Sequence, residues 1–175
     1  EGIRHFGLDP QKKTILVTGG SLGARSVNEA IAMHINEFEQ HNMQLIWQTG
    51  KGFVEQAKKL TDGRRNIWSN DFITGMENAF AAADVVISRS GAMSVAELCV
   101  TQQAVIFVPF PFAAEDHQTV NATRLVEKQA ALMVKDSEVQ QLLVAKAIAL
   151  AQHDEQRPQL KNNIAGLAIT NADEM

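Results

Sequence analysis

The sequence has a single cysteine, Cys99, which rules out an internal disulfide bond within the chain. It also has no basic excess: the net charge is -4, and we interpret the basic run at residues 58–65 as a solvated helix end. No apolar run approaches the roughly 20 residues that a membrane-spanning helix needs. These features argue against nucleic-acid binding and membrane insertion, and we expect a cytoplasmic protein.

An initiator methionine is also missing, because the chain opens with Glu1 and Gly2. We therefore expect a processed chain or a piece of a longer protein. The 175 residues suit one domain with a proper core, which we predict to span residues 1–175.

Short apolar runs alternate with segments of helical periodicity along the chain. The runs are continuous, as is typical of strands buried on both faces of a parallel sheet. We predict strands at 14–18, 44–48, 66–68, 84–88, 104–108 and 131–134, and helices at 24–40, 53–60, 76–83, 92–101, 117–128, 139–152 and 158–169. This alternation predicts an α/β fold with a Rossmann-like, doubly wound parallel sheet.

Three unusual loops follow predicted strands, at residues 19–21, 88–91 and 109–117. Ligands of doubly wound sheets bind outside the carboxyl ends of the strands. We therefore expect these three loops to share one cleft.

The first loop reads Gly19-Gly20-Ser21 and leads into a helix. It is not a Walker A loop, and Ser21 stands where the dinucleotide fingerprint needs its second glycine. A glycine turn before a helix N-terminus is nevertheless suited to an anion. The alternative is that the glycines only let strand and helix pack closely.

The second loop leads into a helix near Gly91, which offers a second phosphate site, and two converging helix N-termini suggest a diphosphate. Glu97 has two interpretations. With Ser94 it fits a capping box, which the spacing alone slightly favours. If the helix begins near Gly91 instead, Glu97 can face the cleft and accept hydrogen bonds from a ribose diol.

The third loop enters a helix through Asp116, His117, Gln118 and Asn121. Asp116 fits an N-cap, and His117 fits either a base or a structural role. Gln118 and Asn121 share a helix face, and their carboxamides suit sugar hydroxyls. No cluster of His, Cys or carboxylates has metal-ligand spacing, so we expect no metal site.

Four segments, GGSLGA, FITGM, ADVVISRSGAMSVAEL and VPFPFAAEDHQTVNA, resemble in this order the C-terminal domain of the MurG family of glycosyltransferases. The resemblance covers residues 13–134, and the terminal helices within 137–175 are less distinctive. It implies the C-terminal half of a GT-B enzyme, which binds UDP-N-acetylglucosamine as the donor. The implied reaction is the inverting transfer that converts lipid I to lipid II in peptidoglycan synthesis.

The resemblance also implies site residues. Ser21 would contact the diphosphate, the backbone of Ile73 would pair with uracil, Glu97 would bind the ribose and Gln118 the sugar. The nucleotide would be lined by Ala92, Met93, Ser94, Val95 and Ala96. Neighbouring positions implied to contribute are Gly20, Phe72, Met76, Gly91, Asp116, His117 and Asn121.

The family's N-terminal acceptor domain has no counterpart in this sequence. The resemblance therefore implies no catalytic residue here, with the general base, the lipid-linked muramyl-pentapeptide acceptor and the membrane contact all belonging to that domain. It implies no cofactor, and a full-length protein that is peripheral on the cytoplasmic face of the inner membrane. We expect little or no transfer by the isolated chain. Two alternatives remain: the donor-binding subunit of a two-chain lipid-linked glycosyltransferase, and a non-catalytic nucleotide-sugar-binding module.

Overall fold

A computed structural model describes residues 2–18 and 25–174, with residues 168–174 described by their backbone alone. Six parallel strands form one sheet in the order β3-β2-β1-β4-β5-β6. The strands are β1 Thr14–Thr18, β2 Gln44–Gln48, β3 Ile67–Asn70, β4 Val85–Ser88, β5 Val105–Phe107 and β6 Leu132–Met133. The predicted Rossmann-like, doubly wound sheet is thus confirmed.

Helices connect the strands and cover the sheet. They are α1 Gly2–His5, α2 Arg25–Met33, α3 Ile35–Gln40, α4 Val54–Thr61, α5 Met76–Ala82, α6 Ala92–Val100, α7 His117–Glu127, α8 Val139–Gln152 and α9 Gln156–Glu174. Short 3-10 turns precede α7 and α8, at Ala114–Asp116 and Asp136–Glu138. Within the described part of the chain, no helix is long and apolar enough to cross a membrane.

The sheet is buried on both faces, which explains the continuous apolar runs. Ile15 and Val17 of β1 pack into one cluster with Trp47, whereas Leu16 points the other way and packs with Phe107. This alternation follows from the two-residue repeat of a strand. Each face of the sheet therefore has its own hydrophobic core, and each core holds helices against the sheet.

The strand order reverses between β1 and β4, the two central strands. They pair in register from Ile15 with Val85 to Thr18 with Ser88, so both strands end at the same level. Connections from their carboxyl ends diverge to opposite sides and leave a crevice between them. The fold therefore places the ligand-binding position at Thr18 and Ser88.

The predicted helix at 24–40 is wrong in one respect, because the structure has two helices there. The backbone leaves helical geometry at His34, with φ -110° and ψ 24°, and α3 begins at Ile35. The His34 ring lies with Nε2 2.6 Å from the carbonyl oxygen of Gln140 in α8. Packing against α8 thus accompanies a break that the apolar spacing did not indicate.

The last helix is longer than the predicted 158–169, and α1 was not predicted at all. α9 begins at Gln156, two positions before Pro158. Proline is tolerated throughout the first turn of a helix, where its missing N–H has no intrahelical partner. Taking Pro158 as the start therefore placed the boundary too late.

Candidate functional site

A cleft of about 360 Å³ lies at the carboxyl ends of β1, β2 and β4. It occupies the crevice where the strand order reverses, which is the expected ligand position in such sheets. Its lining residues are Thr18, Gln48, Met76, Phe80, Ser88, Arg89, Gly91, Ser94, Glu97, Leu98, Phe110 and Gln118.

Two of the three predicted loops meet in this cleft. Residues 88–91 contribute Ser88, Arg89 and Gly91, and the third loop contributes Phe110. Gly20 and Ser21 lie outside the described residues, but Thr18, which ends β1 just before them, lines the cleft. The shared cleft is therefore confirmed for the second and third loops.

Helix α6 presents its N-terminus at the cleft. Its N-cap is Gly91, with extended φ -63° and ψ 157°, and Ala92 is the first helical residue. Ser94 therefore lies inside the first turn rather than at the N-cap, and the capping-box interpretation is wrong. Ser94 and Glu97 are three residues apart on one helix face, and both line the cleft.

The other α6 residues implied by the resemblance differ in exposure. Met93 is 88% exposed, and Ala92 and Ala96 are also exposed, while Val95 is half-buried against the core on one face of the sheet. The cleft lining includes none of these four. Their contribution to the nucleotide site stays a prediction.

The FITGM segment joins β3 to α5. Ile73 is 1% exposed and belongs to the hydrophobic core, Phe72 is 62% exposed, and Met76 lines the cleft. Gly75 is the N-cap of α5 with φ +74°, a left-handed conformation that favours glycine. The glycine of this motif thus has a structural reason, and the predicted pairing of the Ile73 backbone with a base remains untested.

Gln118 and Asn121 share one face of α7, as predicted, and both bind Ser90. The Gln118 Oε1 accepts hydrogen bonds from the backbone N–H of Ser90 at 3.2 Å and of Phe110 at 2.9 Å. Ser90 Oγ donates to the Gln118 carbonyl, and Asn121 Nδ2 donates to the Ser90 carbonyl. Ser90 is therefore held on α7 by three hydrogen bonds.

This arrangement orients the Gln118 amide. Because Oε1 accepts hydrogen bonds from two backbone N–H groups, the Nε2 end of the amide, with its two N–H donors, is the part available to a ligand. Nε2 lies beside Gly91, 3.7 Å from where a Cβ would stand on that glycine. Gln118 is thus arranged to donate to an acceptor atom in the cleft.

Asp116 occupies the N-cap position of α7, as predicted, but its side chain does not cap the helix backbone. Its Oδ1 instead accepts a hydrogen bond from Thr119 Oγ1 at 2.7 Å. His117 is exposed, with Nε2 3.5 Å from Glu115 Oε2. Glu115 and Asp116 both have positive φ, 53° and 55°, so the backbone just before α7 is strained.

The most connected side chain of the site, Arg89, was not predicted. Its Nη1 donates to Asp136 Oδ1 at 2.6 Å, and its Nη2 donates to Ser26 Oγ at 3.1 Å. The guanidinium also lies 5.4 Å from the centre of the Phe110 ring. A charged residue directly after a buried strand was the available signal, although its partners are too distant in sequence to be recognised.

Within residues 2–18 and 25–174, no group of three or more His, Cys, Asp and Glu residues is placed to hold a metal ion. Cys99 is 1% exposed in the core, and burial raises the pKa of its thiol. Among the described residues, the polar side chains that line the cleft are hydroxyls, amides, the Glu97 carboxylate and the Arg89 guanidinium.

Comparison with known proteins identifies relatives over nearly the whole chain. A protein of Parabacteroides distasonis, named UDP-N-acetylglucosamine--N-acetylmuramyl-(pentapeptide) pyrophosphoryl-undecaprenol N-acetylglucosamine transferase, is 46% identical over 96% of this chain. A protein of the same name from Phocaeicola vulgatus is 45% identical over 98% of it. This chain covers 46% of each relative, so it spans about half of their length.

Among solved structures, Acinetobacter baumannii MurG superimposes with a TM-score of 0.71 and 30% identity, over 94% of this chain and 53% of MurG. The C-terminal CMP-Kdo binding domain of WaaA from the same organism shares the fold at 13% identity, with a TM-score of 0.62 over 92% of this chain and 91% of that domain. Residues 14–174 match the family described as Glycosyltransferase family 28 C-terminal domain. The chain therefore belongs to the glycosyltransferase family 28 C-terminal domains.

Proposed function

We propose that this chain is the donor-binding domain of an inverting N-acetylglucosaminyltransferase that converts lipid I to lipid II in peptidoglycan synthesis. The observation that carries the proposal is the cleft at the strand-order reversal, where Gly91, Ser94, Glu97 and Gln118 converge. Its family and the names of its relatives support the choice of donor and reaction.

The diphosphate of UDP-N-acetylglucosamine would lie at the N-terminus of α6, with Gly20 and Ser21 on its other side. Gly91 supports this placement, because its φ of -63° suits any residue and, among the described residues, a Cβ there would meet only Gln118 Nε2, at 3.7 Å. Neither backbone strain nor packing thus requires a glycine. The missing side chain leaves room for a phosphate to approach the helix N-terminus.

The rest of the donor would extend to both sides of the diphosphate. Glu97 accepts hydrogen bonds from the ribose hydroxyls, and the uracil lies towards Met76 and Phe72, with the Ile73 backbone as its partner. The sugar lies towards Gln118, whose Nε2 donates to an oxygen of the sugar. The distribution of Met76, Glu97 and Gln118 around one cleft supports this order.

In the proposed reaction an acceptor hydroxyl attacks C1 of the sugar while UDP leaves with the bonding electron pair. Negative charge develops on the diphosphate, where backbone N–H groups at the start of α6 and the Ser94 hydroxyl stabilise it. No cofactor is needed for this step. The general base that takes the acceptor proton would belong to the part of the enzyme beyond this chain, so this chain alone would carry out little or no transfer.

The proposed acceptor is the lipid-linked muramyl-pentapeptide, bound by the part of the protein that this chain lacks relative to its relatives. That part would also hold the enzyme on the cytoplasmic face of the inner membrane. Through this reaction the protein would contribute to cell wall biogenesis, cell shape and cell division. The acidic net charge of -4 supports a role without a nucleic-acid partner.

Calorimetric titration of the chain with four ligands tests the donor. UDP and UDP-N-acetylglucosamine should bind with similar affinity, because both share the nucleotide that most of the cleft recognises, and NAD and ATP should not bind. Glu97→Gln should weaken UDP binding about 10- to 100-fold, the roughly 1.5–3 kcal/mol of a hydrogen bond to a charged group.

The melting temperature of Glu97→Gln should stay unchanged, since Glu97 is exposed and its carboxylate makes no hydrogen bond to any residue described here. Glu55→Gln, an exposed position near the start of α4, is the matched control and should leave UDP binding intact. Binding of NAD in preference to UDP, or normal UDP binding by Glu97→Gln, would contradict the proposal.

A further inference from the structure

Asp136 lies in the 3-10 turn after β6 and is not among the residues that line the donor cleft. It lines a separate depression with Pro109, Pro111 and Thr119. Its Oδ1 nevertheless accepts two hydrogen bonds from the site, from Arg89 Nη1 at 2.6 Å and from Ser26 Oγ at 2.5 Å. Asp136 is thus connected to the cleft through other side chains.

Arg89 is the link between Asp136 and the cleft. Its side chain is 9% exposed, and Nη1 also donates to the carbonyl oxygens of Val108 at 3.2 Å and Pro109 at 3.4 Å. A guanidinium is planar and rigid, so contacts with several fixed acceptors define its position. Asp136 supplies the only carboxylate among these acceptors in the described part of the chain.

Two of the segments joined by this network line the cleft, the turn at residues 88–91 and the loop before α7, and the third is the start of α2. Ser26 is the second residue of α2, Arg89 belongs to the turn between β4 and α6, and Pro109 opens the loop before α7. On its other side the same turn is held by α7, since Ser90 N–H donates to Gln118 Oε1. The turn that leads to Gly91 is therefore fixed from two directions.

We propose that Asp136 is a positioning residue for the donor nucleotide, acting through Arg89 and Ser26 on the turn at residues 88–91 and on the start of α2. This inference rests on the proposed function, because the positioned groups are those assigned to the diphosphate. Donors stabilise a charged ligand most when they are held in place beforehand, so a residue that touches no ligand can still set the affinity.

A second ion pair in this chain provides a matched control. Arg157 is also 9% exposed, and its Nη2 donates to Asp154 Oδ1 at 2.7 Å. This pair lies where α8 meets α9, since Arg157 also donates to the carbonyl oxygens of Leu150 and Ala151. Substitutions of Asp154 therefore remove an Arg–Asp pair without touching the cleft.

The first test is UDP binding by Asp136→Ala, Asp136→Asn and Asp154→Ala, measured by calorimetry below the melting temperature of each variant. Asp136→Ala should weaken UDP binding at least tenfold. Asp136→Asn, which keeps an acceptor oxygen for Arg89 and Ser26, should lose less, about three- to fivefold. Asp154→Ala should stay within twofold of the unsubstituted chain.

The inference is overturned if Asp136→Ala binds UDP as tightly as the unsubstituted chain, or if Asp154→Ala weakens binding equally. If Asp136 had only a structural role, Asp136→Ala and Asp136→Asn would have lower melting temperatures. Their affinity for UDP, measured below those temperatures, would be unchanged. A loss of UDP affinity that is small in Asp136→Asn and larger in Asp136→Ala distinguishes a positioning role from a general loss of stability.

Hydrogen exchange of the backbone amide of Ser90, without ligand, separates this inference from the proposed function. Asp136→Ala should speed that exchange at least tenfold, and Asp154→Ala should not. Unchanged exchange at Ser90 overturns the positioning role whatever the titrations show. Faster exchange in a chain that binds no UDP supports the positioning of the turn and rejects the proposed donor.

Discussion

Arg89 and Arg157 share one set of contacts in two different regions of the molecule. Each guanidinium donates to two consecutive carbonyl groups and to one aspartate oxygen, and each side chain is 9% exposed. The described partners of Arg157 lie three to seven residues away in sequence, whereas the described partners of Arg89 lie 19 to 63 residues away. Arg157 stabilises the local junction between α8 and α9, whereas Arg89 joins segments near the cleft that are far apart in sequence.

The partner carboxylates differ as well. Asp154 is 80% exposed, so water solvates it when Arg157 is absent, whereas Asp136 is 20% exposed and depends on Arg89 for compensation. A carboxylate left uncompensated in a buried position costs far more than one left in water. The comparison therefore indicates that the same chemistry contributes modestly at the junction between α8 and α9 and strongly at the cleft.

Replacing each arginine by leucine gives the largest expected difference. Arg89→Leu should lower the free energy of unfolding by about 3–5 kcal/mol, because Asp136 loses its compensating charge. Arg157→Leu should lower it by about 1–3 kcal/mol, mainly through unsatisfied carbonyl groups at the end of α8. Urea denaturation of both variants measures the difference, and equal losses would show that the exposure of the aspartate does not matter.

Gly91→Ala sharpens the comparison at the cleft, because it should change the affinity for UDP much more than the stability of the fold. Affinity for UDP should fall about tenfold, because the added Cβ occupies the approach to the α6 N-terminus. The free energy of unfolding should fall by no more than about 1 kcal/mol, the usual range for N-cap substitutions. Calorimetry and urea denaturation test the two halves of this prediction.

Gly75→Ala is the matched control for that substitution. Gly75 is also an N-cap glycine, but its φ of +74° strains any residue with a Cβ. The Gly75→Ala variant should be less stable and should keep most of its affinity for UDP at temperatures where it is folded. If Gly91→Ala bound UDP normally, the diphosphate would not lie at this helix N-terminus.

The smallest effect is expected where α8 meets α9: the change in thermal stability caused by Asp154→Asn should depend on pH. The hydrogen bond from Arg157, followed by its charge, holds the pKa of Asp154 below its ordinary value. Since the folded pKa lies below the unfolded value of about 3.9, the stabilisation is present above about pH 4 and is lost as the pH falls through the folded pKa.

Thermal melts near pH 7 and near pH 2 measure this effect. Asp154→Asn should melt slightly below the unsubstituted chain at pH 7, and the difference should shrink towards pH 2 as Asp154 takes up a proton. A difference that is the same at both pH values would assign the effect to the shape of the side chain rather than to its charge.

Local patterns predicted most of the fold. The strands at 14–18 and 44–48 and the helix at 139–152 match β1, β2 and α8 residue for residue, because burial on both faces of a sheet and helical periodicity are written in neighbouring residues. The break at His34 was missed, since it accompanies a contact with α8 more than 100 residues away. The early start of α9 was missed because a proline fits several positions of a first turn.

At the site, the sequence predicted the cleft that the loops at 88–91 and 109–117 share, and it pointed to Gly91, Glu97 and Gln118, while the family resemblance added Ser94 and Met76. The sequence left the role of Glu97 open, because a capping box and a helix that begins three residues earlier have the same spacing. The observed N-cap at Gly91 removed the capping box and placed Glu97 in the cleft. Whether Glu97 binds a ribose stays a prediction.

The sequence by itself determined the alternation of strands and helices, the end of the sheet at which ligands bind, and the family to which the chain belongs. Only the tertiary structure decided that Arg89 binds Asp136 and Ser26, and that the Gln118 amide turns its oxygen towards Ser90 and Phe110. The physical reason is the separation along the sequence of the residues that interact. Periodicity and turn chemistry act over a few residues, whereas these hydrogen bonds form between segments that only the completed sheet brings together.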